Sequence, residues 1–199
     1  MPLPLPSKFY PALSDERLRV VGIRLLEVRH STSRELNTDL DDNYVRETAI
    51  FGRSRNMLIR MALSSQFPWL DLRHAALDVT CEIEGVPFRF FRDDPDSPGK
   101  LGFFKRNAND DLFAPDDRTP VLWRFVIERA ETEDEEDQIH FVGYNVFFDK
   151  VAQWTLRGGA ASALVSVGND VPPARELGLP PIELQPEDDA DNGEQQNAN

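Results

Sequence analysis

The sequence predicts an α+β protein in which one or two N-terminal helices pack on a mostly antiparallel sheet of four to six strands. Three observations lead to this prediction: helical patterns confined to the first 65 residues, strand patterns with a two-residue period after them, and a polar, acidic C-terminus. We expect a proline-rich arm over residues 1–13, which either packs onto the domain or stays loose, and a single domain over residues 14–170. Residues 171–199 carry five prolines and one basic residue, which predicts a largely disordered tail.

Two segments predict helices. In residues 14–30, Ser14 is placed to cap a first turn that contains two acids, and one helical face collects four apolar residues, namely Leu18, Val21, Leu25 and Val28. The neighbouring valines leave a strand open as the alternative, because β-branched residues lower helix propensity. In residues 54–65, Ser54 is the expected cap, and Met57, Leu58, Met61, Ala62 and Ser65 form one stripe.

The sheet is predicted from alternating segments. In "LDVTCEIEG" the apolar residues Val79, Cys81 and Ile83 alternate with polar ones, and Gly85 provides the turn into "VPFRFF". "PVLWRFVIERA" and "IHFVGYNVFF" form an antiparallel hairpin with an acidic tip at 128–137, and Gly143 is a predicted bulge. We expect a last strand in "ASALVSVG", residues 161–168.

Charge is distributed unevenly along the chain. The net charge is −13; residues 1–75 hold 11 basic and 9 acidic residues, whereas residues 76–199 hold 11 and 26. This argues against binding of nucleic acid by the C-terminal part, because phosphates are bound by cations. The arginines of the N-terminal part, without interleaved aromatic residues, are only a weak indication of nucleic-acid binding.

The remaining composition excludes several classes of site. A single cysteine, Cys81, permits no intramolecular disulfide, and with three scattered histidines it cannot build a zinc site of the usual spacing. We expect no cofactor and no metal. No apolar run is long enough to span a bilayer, and we expect a cytoplasmic protein.

The segment with the strongest functional appearance is "RDDPDSPGKLGFFKRNANDDLFAPDD", residues 92–117, which holds seven aspartates around Phe103 and Phe104. It matches neither the calcium-loop nor the P-loop pattern. Three interpretations stay open: a connection that tucks its phenylalanines into the core, a loop that docks a partner, and a metal or catalytic site.

No catalytic motif occurs in the chain, which favours a binding, adaptor or regulatory protein, comparable to an inhibitor or antitoxin, over an enzyme. We predict that it engages a basic protein through an acidic, phenylalanine-bearing surface. The residues expected to contact the partner are Phe103, Phe104, Lys105, Arg106, Glu133, Asp134, Glu135 and Glu136. One alternative is a metal-dependent hydrolase or nuclease using Asp78, Glu82, Glu84 and the loop aspartates; another is an acidic DNA mimic.

Overall fold

The computed structural model describes residues 2–105, 116–130 and 137–156, all within a compact unit, Met1–Ala160. Two helices pack against one face of a six-stranded sheet, which confirms the predicted α+β class. The elements are α1 (Asp15–Glu35), α2 (Asn43–Ala62), β1 (Leu70–His74), β2 (Thr80–Ile83), β3 (Val86–Arg92), β4 (Leu122–Glu128), β5 (Gln138–Tyr144) and β6 (Lys150–Thr155). The predicted strand at 161–168 and the predicted tail at 171–199 lie outside the described residues.

The strands follow chain order across the sheet, β1 to β6, and all neighbours are antiparallel except β3 and β4. The sheet therefore consists of two antiparallel three-stranded units joined along one parallel pair, in which Arg89 lies opposite Arg124. Two parallel neighbours need a crossover connection, which carries the chain from the end of the first strand back to the level at which that strand began. The long segment between Arg92 and Leu122 makes that connection, which gives it a topological reason to exist.

Both predicted helices are present, but their first and last residues differ from the predicted ones. Ser14 caps α1 as predicted, because its side chain accepts a hydrogen bond from the Arg17 backbone N–H at 3.4 Å. The alternative of a strand for this segment is wrong. The cap of α2 is Asp42, whose carboxylate accepts from the Val45 N–H at 2.8 Å, so the predicted cap Ser54 lies inside the helix instead.

The main core fills the space between the helices and the sheet. From the sheet, the side chains of Phe88, Phe125 and Phe141 point into it, and Phe125 and Phe141 are in contact at 4.6 Å between ring centroids. Gly22 lies on the buried face of α1, where a Cβ would be 3.4 Å from Ile139 Cγ2, an ordinary packing distance. The opposite face of the sheet carries a second, smaller core.

Several predicted turns are confirmed. Glu84 and Gly85 both have positive φ, 46° and 84°, as a tight two-residue hairpin turn requires. A register shift at Gly143 and Tyr144 places a bulge at the predicted point of the ladder, although the extra residue, Val151, belongs to β6. The end strands β1 and β6 were not predicted, and β1 carries two charged residues and a histidine in five.

The N-terminal arm packs onto the domain. It contains a 3₁₀ turn, Pro6–Lys8, and the rings of Phe9 and Tyr10 meet Trp123 edge-on at 6.4 and 6.1 Å. The Gln153 N–H donates to the Pro4 carbonyl at 3.1 Å. Among the described residues, no helix combines the length and the apolar character needed to cross a membrane.

Candidate functional site

The first part of the candidate loop, residues 93–105, packs on the sheet face opposite the helices. Phe103 is 1% exposed and lies in the second core with Leu122, Val126, Val142 and Tyr144. This arrangement supports the interpretation in which the loop tucks a phenylalanine into the core. Phe103 is thus needed for packing of the loop, and in this conformation a partner would meet its neighbour Phe104, which is only half-buried.

Arg124 anchors this part of the loop to the sheet. The side chain is buried, and its guanidinium donates to the carbonyls of Phe103 at 2.9 Å and Lys105 at 3.1 Å. The same group donates to the Trp123 carbonyl at 2.8 Å and lies over the Phe91 ring at 5.7 Å. The alternation of "VLWRFVI" puts Arg124 on the strand face opposite to Trp123 and Phe125, but nothing in the sequence indicates that the loop covers it.

Aspartates at the start of the loop stabilise its own turns. Asp93 accepts hydrogen bonds from the backbone N–H groups of Gly99 at 3.1 Å and Lys100 at 2.9 Å. Asp94 accepts from the Asp96 N–H at 2.7 Å. These contacts are typical of aspartate in turns and account for two of the seven loop aspartates without a metal.

The β5–β6 turn places two more phenylalanines beside the loop. Phe147 is 68% exposed and Phe148 is 46% exposed, and the Phe148 ring lies 4.5 Å from Phe104. The buried Asn145 holds the turn, because its side-chain oxygen accepts from the N–H groups of Phe147 at 2.9 Å and Asp149 at 2.8 Å. Phe148 has a φ of 70°, an unfavourable backbone conformation for a bulky residue.

Exposed aspartates lie on the same loop and turn as these rings. Asn145 donates to the Asp117 carbonyl and to the Asp149 carboxylate at 3.2 Å, and Lys150 on the adjacent strand pairs with Asp96. We call the whole patch the aromatic–acidic surface, and its members are Phe104, Phe147, Phe148, Asp94, Asp96, Asp116, Asp117 and Asp149. Hydrogen bonds from Thr119 lower the pKa of Asp116, so this carboxyl group stays ionised at neutral pH.

The other predicted contact residues are only partly placed. Lys105 is exposed, and its ammonium group lies 3.8 Å from Asp78. Arg106 and the acidic hairpin tip with Glu133, Asp134, Glu135 and Glu136 lie outside the described residues. Their role in binding a partner stays a prediction.

The carboxylates proposed for a hydrolase each pair with an arginine. Asp78 pairs with Arg89 at 3.5 Å, Glu82 with Arg73 at 2.5 Å, and Glu84 with Arg17 at 2.5 Å. Each of the three carboxylates therefore has a basic partner of its own. Within residues 2–105, 116–130 and 137–156, no group of three or more histidine, cysteine or acidic side chains is positioned to hold a metal ion.

Two further reactive side chains have structural roles. Burial raises the pKa of the Cys81 thiol to about 12, as expected for its place on the apolar face of β2. His140 is a buried, hydrogen-bonded sheet residue, with one ring nitrogen 2.9 Å from Thr155 Oγ1 and the other 3.0 Å from a Glu128 oxygen.

Fold and site together define an α+β protein in which two helices cover one face of a mixed sheet. On the side of the opposite face, a loop and a turn present aromatic and acidic side chains. No protein-family model matches the chain, and no curated protein and no solved structure is significantly similar to it.

Proposed function

We propose that this chain is a non-catalytic binding protein of the cytoplasm that docks a basic protein through the aromatic–acidic surface. One observation carries the proposal: an ordered turn exposes Phe147 and Phe148, the Phe148 ring lies against Phe104, and exposed aspartates stand on the same turn and loop. Exposed adjacent aromatic rings are unfavourable in water, and such patches mark interaction sites. The surrounding carboxylates favour a partner that carries lysine and arginine.

The backbone of the turn supports the same proposal. A positive φ at a phenylalanine costs on the order of 1–3 kcal/mol and persists only where neighbouring groups enforce it. Here Asn145 enforces it through two backbone hydrogen bonds. A turn that is fixed before binding loses little conformational entropy when a partner covers it, so its aromatic side chains can contribute their full burial to affinity.

The proposal is tested by site-specific photocrosslinking in cells of the source organism. Benzoylphenylalanine replaces Phe147 in one variant and Leu63, an exposed residue directly after α2, in the control variant. We expect a crosslinked protein of basic composition from position 147 and not from position 63. The complex should dissociate as ionic strength rises, because its encounter is driven by charge.

Binding measurements with the captured protein then separate the contributions of the aromatic side chains and of the aspartates to affinity. Phe147→Ser should weaken affinity by about thirtyfold, since truncating a central aromatic contact costs about 2 kcal/mol or more. Asp94→Asn combined with Asp117→Asn should slow association and reduce the salt dependence, with a smaller effect on dissociation. Affinity that is indifferent to both changes would contradict the proposal.

A further inference from the structure

A second site lies on the helical side of the molecule. A cleft of about 730 Å³ opens between α2, the segment Leu77–Val79, strand β3 and the loop residues 100–102. Its volume falls within the range of about 300–1,000 Å³ that is typical of small-molecule sites. We call it the α2 cleft; it is separate from the aromatic–acidic surface and shares none of its residues.

The walls of the α2 cleft are largely apolar. The described residues expose eleven large hydrophobic side chains, and four of them, Tyr44, Phe51, Leu77 and Leu101, line this one cleft. Phe51 is stacked on Phe90 at 5.5 Å between ring centroids. This concentration of exposed apolar groups in a concave surface favours an apolar ligand body over water.

The charged groups of the cleft are predominantly basic. Five cationic side chains line it, Arg29, Arg89, Arg92, Lys100 and Lys105, against two carboxylates, Glu47 and Asp78. Glu47 is shared between Arg92 at 2.6 Å and Arg29 at 3.4 Å, and Arg29 also pairs with Asp137. Lys100 forms no ion pair with any residue that the structure describes, and its positive charge adds to that of Arg92 at one end of the cleft.

Electrostatics around Lys100 agree with this description. Partial burial, followed by the nearby charge of Arg92, lowers the pKa of its ammonium group, and the carboxylates of Asp93 and Glu47 offset this only in part. An anion bound at this end would relieve the mutual repulsion of Lys100 and Arg92. The site therefore favours a ligand that carries a negative group.

Ser54 marks the other end of the cleft. It is fully buried within α2, it lines the cleft, and its hydroxyl has no hydrogen-bond partner among the described residues. Buried hydroxyl groups are nearly always paired, so an orphan that lines a cavity indicates a missing partner. Seven residues separate Ser54 from Glu47 on the helix, which places the hydroxyl about 10 Å along the axis from the cationic end.

We infer that the α2 cleft binds a small organic anion with an extended apolar body, whose anionic group pairs with Lys100 and Arg92 and whose far end hydrogen-bonds to Ser54. The apolar body lies on Phe51, Phe90 and Leu101. Carboxylates of medium-length acyl chains have this chemistry, and a chain with a terminal hydroxyl group reaches both polar ends.

The inference is tested on the full chain with a fluorescent aromatic sulfonate, 8-anilinonaphthalene-1-sulfonate, as the probe. We expect saturable binding at one site, displacement by decanoate, and little displacement by decylamine, which has the same chain with the opposite charge. Lys100→Gln and Phe51→Ser should each weaken probe binding by about tenfold, since each removes a principal contact. Lys8→Gln and Phe147→Ser, which change the same residue types outside the cleft, should leave it unchanged.

A second measurement addresses the far end. In the unmodified protein, 10-hydroxydecanoate should displace the probe at a concentration about fivefold lower than decanoate does, because the terminal hydroxyl pairs with Ser54. That advantage should vanish in Ser54→Ala, while decanoate itself binds that variant as before.

Equal displacement by decylamine, or probe binding that Lys100→Gln leaves intact, would overturn the inference. Loss of probe binding in Phe147→Ser would also overturn it, by moving the probe to the aromatic–acidic surface. The outcome is independent of the proposed protein-binding function, because the crosslinking experiment uses neither Lys100 nor Ser54.

Discussion

Replacing Arg124 with methionine should detach residues 93–105 from the sheet. The change keeps a long, unbranched side chain over the Phe91 ring and removes the guanidinium group. The carbonyls of Phe103, Lys105 and Trp123 each lose a donor that lies within 3.1 Å in the intact protein. Phe103 should then leave the second core more readily, because its backbone is no longer held.

The expected loss of stability follows from these contacts. A hydrogen bond from a charged donor contributes about 1.5–3 kcal/mol, so three of them give an upper bound of about 9 kcal/mol. The opposing effect is the desolvation of a nearly buried charge, which costs several kcal/mol and is recovered when the charge is removed. We therefore expect a net decrease of about 3 kcal/mol in the free energy of unfolding.

Urea unfolding followed by circular dichroism measures this decrease. With a slope of about 2 kcal/mol/M, the midpoint should fall by about 1.5 M. The matched control is Arg55→Met: Arg55 also donates to backbone carbonyls, those of Ala75 and Ala76, but at the surface, and its replacement should cost less than about 1 kcal/mol. Hydrogen exchange of residues 100–105 should accelerate only in the Arg124 variant. Equal midpoints for the two variants, or unchanged exchange in the loop, would refute the role assigned to Arg124.

Three further changes test the packing and the charges. Gly143→Ala should destabilise the protein by about 1–3 kcal/mol, measured as a lower melting temperature, because a Cβ there would lie 2.7 Å from the Trp123 ring. Ser54→Ala should raise the free energy of unfolding by about 1 kcal/mol in denaturant titrations, because it removes a buried hydroxyl without a partner; a loss of stability would show that the hydroxyl is satisfied. Burial is the largest single effect on Asp137 and opposes its ionisation, but the hydrogen bonds from Arg29 and the Ala130 N–H, together with the charge of Arg29, outweigh it and lower the pKa of the carboxyl. Its contribution to stability is thus present above the unfolded-state pKa and is lost as pH falls through the lower folded value, so Asp137→Asn should flatten the decline of melting temperature between about pH 5 and about pH 2; an unchanged slope would contradict this.

The sequence predicted the class of the fold because its strongest patterns are local. The alternation in β2, β4 and β5 and the capping serine of α1 each depend on a few neighbouring residues. The beginning of α2 was placed too late because its N-terminal half is polar on one side and its cap, Asp42, stands in a run of acidic residues that resembles a loop.

The candidate site depended on contacts that no local pattern encodes. The parallel pairing of β3 with β4 joins residues that are more than thirty positions apart, such as Phe88 and Trp123. Without that pairing, neither the burial of Phe103 nor the approach of Phe148 to Phe104 could be predicted. The α2 cleft was missed for the same reason, since its walls come from α2, β3 and two separate loops.

The single parallel ladder between β3 and β4 divides the sheet into two parts that each keep their own antiparallel partners. A break in the chain between residues 105 and 116 would separate them covalently and leave every antiparallel pairing within one piece. The N-terminal fragment would retain both helices with β1 to β3, and the C-terminal fragment would retain the hairpin and β6. The two fragments would then recognise each other through the β3–β4 ladder, the shared core and side-chain contacts such as those of Arg124 with the Phe103 and Lys105 carbonyls, so the two halves of this protein are complementary fragments.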